Sequence, residues 1–340
     1  MTKDRTCNTS TLAQLRSWYA AHPPDMSAGG ADSLGAPALA AYQQQARRRL
    51  RLLLGLDKLE ATSCPPEAEV LERISAERYR GEKLLVKVQA DMYVPAWVLV
   101  PRTAPPHPAI MCFHGHGLSK DVTIGRPRTE VEKEKMLQHR GDYGRGFAEA
   151  GFAVFCPDAR GFGERDGAAG CAHIGQNAQL AGLTLGGLRM WDHLRCLEYL
   201  LARPDIDRRR VGAAGLSMGC EHSLYLAALD ERVSLAILSC CLRDWRDEVH
   251  DTSHCPCSYL PGLFEHFDWS DIACLISPRP VLVQQGVHDY VPMKFVESAL
   301  EKIRRVYRSV NAEDKVGTDF FNGKHEFNLA GALHWLDQRR

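Results

Sequence analysis

From about residue 109 onward, short apolar runs alternate with longer stretches in which apolar positions recur every three or four residues. The runs at 109–113, 152–156, 210–214, 235–240 and 281–285 are short and mostly apolar, as expected of strands buried on both faces. A last strand is expected at 317–321. Residues 185–201 place Leu188, Trp191, Leu194, Leu197 and Leu201 near helical period, and helices are also expected over 143–150, 220–229, 294–306 and 327–336. Before these come strands at 69–74, 83–89 and 92–100, the first two with rough apolar–polar alternation, and a proline-rich turn at 101–108. Strands alternating with helices predict an α/β fold: a mainly parallel central sheet with helices on both faces. There is no internal repeat and no low-complexity tract.

The N-terminal part has a different pattern. A helix is expected over 37–54, with Pro37 in its first turn, Gly55 just past its end, and Leu39, Tyr42, Ala46, Leu50 and Leu53 along one side. It carries the basic run Arg47-Arg48-Arg49 and Arg51, which reads either as an anion-binding patch or as the solvated face of a helix packed on the main domain. The run is short and the chain carries no net charge, which favours the second. Residues 62–67, with Pro65-Pro66, look like a linker. The division expected is a helical extension over 1–80 packed on a core domain over 81–340. Within that domain, 241–270 is an irregular, lid-like excursion holding Trp245, His250, His254, Tyr259, Phe264, Phe267 and Trp269. Those aromatics either shape a pocket or cover an edge of the sheet.

Composition narrows the classes of function. The 340 residues, 45% hydrophobic and 25% charged, suit one large globular α/β domain with additions. A net charge of zero gives no reason to expect nucleic acid or an acidic membrane surface as partner. No stretch approaches the roughly 20 apolar residues that span a bilayer, and the first ten residues lack the apolar core of a signal peptide. The 12 cysteines are scattered, several in apolar strands (Cys112, Cys156, Cys240), which suits free thiols in a reducing cytoplasm better than a disulfide framework. A cytoplasmic protein without cofactor is expected. Its oligomeric state is left open, a homodimer included.

The candidate chemistry centres on Gly215-Leu216-Ser217-Met218-Gly219, between an expected strand and an expected helix. A serine between glycines at such a turn is the pattern of a nucleophile elbow. The turn forces the serine into a strained conformation, and a Cβ at either flanking glycine would collide with the neighbouring strand or helix. The helix N-terminus beneath the hydroxyl favours developing negative charge. Strand 109–113 runs into His114-Gly115-His116-Gly117, a place for the N–H of His116 to serve an oxyanion hole, with the N–H of Met218 as second donor. Strand 281–285 runs into Gly286-Val287-His288-Asp289, where Asp289 suits a triad acid, or else a helix cap before Val291. The last strand leads to Asn322-Gly323-Lys324-His325-Glu326, where His325 can reach back across the sheet. The order Ser217, Asp289, His325 is that of a hydrolase triad, in which Ser217 attacks a carbonyl carbon, His325 moves the proton and Asp289 orients the imidazole.

Competing candidates are weaker. Asp244, after strand 235–240, is the second choice for the acid. Asp158 lies before the serine and reads as structural, paired with an arginine. His288 is too close to Asp289 in sequence to act as its base, and His114 reads as a brace for its loop. Cys255-Pro256-Cys257 with His254 hints at a metal, but one Cys-x-Cys is an incomplete ligand set, so no metal site is expected. His173, His193 and His222 read as surface or packing histidines.

Residues 82–336 resemble α/β-hydrolases of the dienelactone hydrolase and acetyl xylan esterase type. The resemblance is carried by His114-Gly115-His116-Gly117, Asp158-Ala159-Arg160-Gly161-Phe162-Gly163, the Ser217 elbow, Pro278-Arg279-Pro280 leading to Gly286 and Asp289, and His325-Glu326. It implies the triad Ser217, Asp289 and His325, oxyanion donors at His116 and Met218, and hydrolysis of small acyl esters. The chain departs from that family at Met218, where the similar cephalosporin C deacetylases have glutamine, and at Cys220, often glycine. The expected activity is a serine carboxylic-ester hydrolase acting on a small or sugar-linked acyl ester. A serine peptidase or amidase and a non-catalytic ligand-binding module are the alternatives.

Overall fold

The structure is a computed structural model that describes residues 10–28, 35–165, 169–249 and 253–339. Nine strands form one sheet: β1 (Ala68–Ser75), β2 (Tyr79–Gln89), β3 (Met92–Pro101), β4 (His107–Phe113), β5 (Ala153–Pro157), β6 (Ile206–Leu216), β7 (Val233–Ser239), β8 (Val281–Gly286) and β9 (Val316–Phe321). Their spatial order is β1-β2-β3-β5-β4-β6-β7-β8-β9. The first three strands and the β3–β5 junction are antiparallel, and every pair from β5 to β9 is parallel. All nine strands were expected from the apolar runs, with boundaries extended by a few residues. Because β1 and β2 begin before residue 80, the N-terminal extension adds to the sheet as well as packing helices on it.

Two apolar clusters flank the sheet. The larger joins Leu39, Ala46, Leu50 and Leu54 of the helix Ala36–Leu54 to Trp191, Leu197, Leu224 and Tyr225 of helices on the same face. The other gathers Tyr143, Phe147, Phe152, Phe327 and Trp335 on the opposite face. The basic run divides as its geometry requires. Arg48 and Arg49 are exposed, whereas Arg47 donates to the carbonyls of Ala228 and Leu275 and pairs with Glu231. No described helix is long and apolar enough to cross a membrane.

One expectation is corrected here. Cys220 and Cys241 form a disulfide, with Cα atoms 6.0 Å apart, so the cysteines are not all free thiols. Parallel pairing of β6 with β7 brings the start of the helix Met218–Leu229 beside the loop that follows β7. Nine other described cysteines are free.

Candidate active site

Ser217, Met218, His116, Asp289 and His325 lie at the carboxyl ends of the parallel strands, where open α/β sheets place their ligand crevices. Ser217 closes β6 and precedes the helix Met218–Leu229. Its φ of 59° and ψ of −120° are the strained values expected of a nucleophile elbow. The flanking glycines are required sterically. A Cβ on Gly215 would lie 2.2 Å from the Gly219 carbonyl oxygen, and one on Gly219 would lie 1.7 Å from that of Phe113. The Ser217 N–H donates to the Ser239 carbonyl at 2.9 Å, which ties the turn to the end of β7.

The β8 and β9 loops are held against each other by their backbones. A Cβ on Gly286 would meet the Lys324 carbonyl oxygen at 2.1 Å, and the His288 N–H donates to the Gly323 carbonyl at 2.9 Å. This contact brings Asp289 Oδ2 within 2.9 Å of His325 Nδ1. The Asp289 side chain is inaccessible to solvent. Burial opposes its ionisation, but the hydrogen bond and the charge of His325 outweigh burial and hold its carboxyl below the ordinary value. Asp289 Oδ1 also accepts the Val291 N–H at 3.3 Å, so the aspartate caps its turn as well. The histidine backbone is fixed through His139, whose Nδ1 donates to the His325 carbonyl at 2.7 Å.

Asp244 lies elsewhere. Its carboxylate accepts from Ser270 Oγ at 2.8 Å and from Ser298 Oγ, so it secures the lid segment. Asp158 is structural, but its partner is a lysine. Its oxygens accept the N–H groups of Lys120 and Glu164 and pair with Lys120 Nζ at 3.2 Å. The arginines of that loop, Arg160 and Arg165, bind Asp192 instead. His114 braces its loop, donating from Nδ1 to Gly115 O and accepting the Ala159 N–H on Nε2. His193 and His222 are a buried pair, 3.1 Å apart and packed under Phe113, whereas His173 is exposed. His288 bonds to Asn322 in an exposed loop.

Ser217 opens into a cavity of about 390 Å³ walled by His116, Met218, Glu221, Arg243, His254 and Trp269, among others. Lid residues form much of this wall, while His250 lies outside the described residues. Tyr290 separates this cavity from the groove that holds His325. Its ring lies 4.8 Å from the imidazole. Four wall residues had no assigned role in the sequence reading. Tyr290 is one, signalled only by its place next to Asp289. Cys240, at φ 56°, places its thiol within 4.8 Å of the facing Asp289 and His325 atoms. Glu221 is buried, and burial pushes its carboxyl up to about 7 against a Ser258 hydrogen bond and the charges of Arg189 and Arg243. Arg243 is paired with Glu248, which also binds His254 at 2.8 Å.

His116 stands at the cavity edge with Nε2 3.3 Å from the Cys171 sulfur. Cys255 and Cys257 of the lid join this pair, whereas His254, singled out with them in the sequence, points to Glu248. A second, more apolar cavity of about 390 Å³ lies between the helix Thr11–Ala21 and the lid, lined by Trp18, Trp245 and Phe264 but by none of the strand-end residues.

Comparison with known proteins agrees with this architecture. A family model described as "alpha/beta hydrolase fold" matches residues 108–285. A Bacillus subtilis (strain 168) protein with the name "Putative hydrolase YtaP" is 30% identical over 255 residues, 74% of this chain and 84% of that protein. Among solved structures, a Bacteroides fragilis NCTC 9343 protein named a "putative acetyl xylan esterase" superposes with a TM-score of 0.85 at 16% identity, covering 100% of this chain and 97% of its own. A glucuronoyl esterase from Solibacter usitatus superposes at 0.66 and 15% identity, covering 90% and 93%. With an elbow serine, a hydrogen-bonded aspartate–histidine pair at neighbouring strand ends, and these matches, the chain belongs to the α/β-hydrolase family.

Proposed function

We propose that this protein is a carboxylic-ester hydrolase that works through an acyl-enzyme on Ser217. The observation that carries the reading is the strained Ser217 turn beside an Asp289–His325 pair held by a 2.9 Å hydrogen bond. Binding alone requires no such combination. In this mechanism, entry of substrate brings the Ser217 hydroxyl to Nε2 of His325, since catalytic hydrogen bonds tighten in the complex. His325 takes the proton as Ser217 attacks the ester carbonyl, and Asp289 fixes the tautomer and stabilises the imidazolium. The N–H groups of His116 and Met218 receive the oxyanion. His325 then protonates the leaving alcohol and activates the water that releases the acid.

The cavity favours a small acyl group. Its volume is at the lower end for ligand pockets, and Glu221, Arg243, His254 and Ser258 give it a polar wall suited to the hydroxyls of a sugar-linked alcohol. Similarity to proteins named as acetyl xylan and glucuronoyl esterases supports the same substrate class. The nine free thiols, most of them buried, favour a reducing cytoplasm, with the Cys220–Cys241 pair as the exception. Fractionation of cells expressing the full chain checks that assignment.

The test is a substrate panel of p-nitrophenyl acetate, butyrate and octanoate, an acetylated xylo-oligosaccharide, and matched anilides. The reading predicts cleavage of the short esters and the acetylated sugar. A preference for anilides would move the assignment to an amidase. Inactivity on all of them, together with no labelling by a fluorophosphonate, would leave a ligand-binding module.

A further inference from the structure

Outside the proposed catalytic residues, one close grouping of metal-ligating side chains stands out among the described residues: His116, Cys171, Cys255 and Cys257. Each offers one ligand atom, and the four atoms all lie within 4.8 Å of one another. His116 Nε2 is 3.3 Å from Cys171 Sγ, which is 3.3 Å from Cys255 Sγ. We propose that these four residues form a tetrahedral zinc-binding site that clasps the lid segment to the rim of the Ser217 cavity.

Three arguments support this assignment. The first is ligand chemistry. Three thiolates and an imidazole are a Cys₃His set, the usual ligand type and number of a closed structural zinc site. Zn–S bonds of about 2.3 Å and a Zn–N bond of about 2.0 Å at tetrahedral angles separate the ligand atoms by roughly 3.5–3.8 Å. The two 3.3 Å contacts need to open by only a few tenths of an ångström.

The second is charge. Zinc with three thiolates and a neutral imidazole carries one net negative charge, which requires a buried counter-charge. Arg189 is buried at the cluster, where it donates to the Arg160 carbonyl oxygen and to the Met218 sulfur, and its charge acts on Cys257. This buried guanidinium would supply the positive charge that offsets the site.

The third is placement. His116 follows β4, Cys171 opens the helix Cys171–Leu180, Cys255 caps the short turn Pro256–Ser258 of the lid, and Cys257 lies within that turn. One ion would therefore join three segments that are distant in sequence. Binding would break three S–H bonds, with the protons passing to solvent, and form three Zn–S bonds and one Zn–N bond, with no change of oxidation state. The zinc site itself does not depend on the esterase assignment. Its effect on turnover does rest on that reading, because the side chain held by the ion belongs to the residue whose N–H is placed in the oxyanion hole.

The experiment is metal analysis of the full chain after expression in zinc-supplemented medium and gel filtration without chelator. We expect one zinc per chain in the wild type and in Ser217→Ala, and loss of that zinc in Cys171→Ser and Cys257→Ser. Cys64→Ser, remote from the cluster, keeps it. Exchange of wild type with Co²⁺ gives a second readout that needs no variant to fold, with thiolate-to-cobalt absorption in the near ultraviolet and tetrahedral visible bands. Absence of both stoichiometric zinc and the cobalt–thiolate band in wild type overturns the proposal. So does mass spectrometry that finds Cys171 joined to Cys255 as a disulfide in freshly purified protein, or retention of zinc by folded Cys171→Ser and Cys257→Ser. A zinc-replete protein that cleaves no ester leaves the metal site standing and removes the catalytic reading alone.

Discussion

The two sides of the Ser217 cavity are built by different means. On the strand side, Ser217, Asp289 and His325 stand on short turns at the ends of β6, β8 and β9, and backbone contacts fix each turn. Gly219 fits against the Phe113 carbonyl, and Gly286 fits against that of Lys324. On the lid side, Arg243, His254, Cys255 and Cys257 stand on a segment of short helical turns. Side chains anchor much of it, with the Asp268 carboxylate accepting the N–H groups of Trp245 and Arg246. The difference separates tasks. Proton transfer needs positions held to fractions of an ångström, which sheet backbone supplies. Substrate selection needs a wall that differs between relatives, and a side-chain-anchored lid can change without disturbing the sheet.

Substitutions on the two sides should therefore fail in different ways. The largest effect belongs to Asp289→Asn. It keeps the shape but loses the carboxylate that orients His325, so kcat should fall by about ten thousand-fold, far more than its loss of stability accounts for. An equal loss in Asp244→Asn with Asp289→Asn unaffected would reverse the assignment of the acid. Next comes Gly219→Ala. Its Cβ would lie 1.7 Å from a backbone oxygen, which only backbone movement relieves, so it should cost about 3 kcal/mol or more in unfolding free energy. Denaturant melts measure it, and a neutral result would contradict the packing described for the elbow.

Asp244→Asn should do less. Weakening its bonds to Ser270 and Ser298 should cost about 1–3 kcal/mol of stability while kcat stays near wild type. The smallest effect concerns Glu221 and pH. Its folded pKa, about 7, lies above its ordinary 4.5, so the folded state holds the extra proton and stability is lost as pH rises between those values. Asp289 works in the opposite sense. Its depressed pKa adds stability above the ordinary carboxylate range that is lost as pH falls through the folded value. Melting temperatures from pH 5 to pH 8 should therefore fall less in Glu221→Gln than in wild type. Parallel profiles would show that Glu221 is solvated.

What could be read from the sequence follows the same division. The elbow was legible because five contiguous residues encode it, and Asp289 and His325 because each follows an apolar strand in the expected chain order. Tertiary approach is not written that way. Lys120 was missed as the partner of Asp158 because the two are 38 residues apart. The Cys220–Cys241 bond depends on β6 pairing with β7. The helix Glu130–His139 was missed for a local reason: its sequence, half of it charged, has no apolar stripe, and its signal was the Thr129 cap on the Glu132 N–H. The four-residue cluster at His116 escaped because a search by spacing finds Cys255 and Cys257 and stops there.

The measurement that tests the account most directly is the acyl-enzyme itself. Wild type and Ser217→Ala are mixed with p-nitrophenyl acetate, quenched in acid within the first turnover, and examined as intact chains and peptides by mass spectrometry. The account predicts an added acetyl group on the peptide containing Ser217 in wild type, no such adduct in the variant, and steady-state hydrolysis reduced at least about a thousand-fold. Hydrolysis retained by Ser217→Ala, or an acetyl group carried on Cys240 instead, would contradict it.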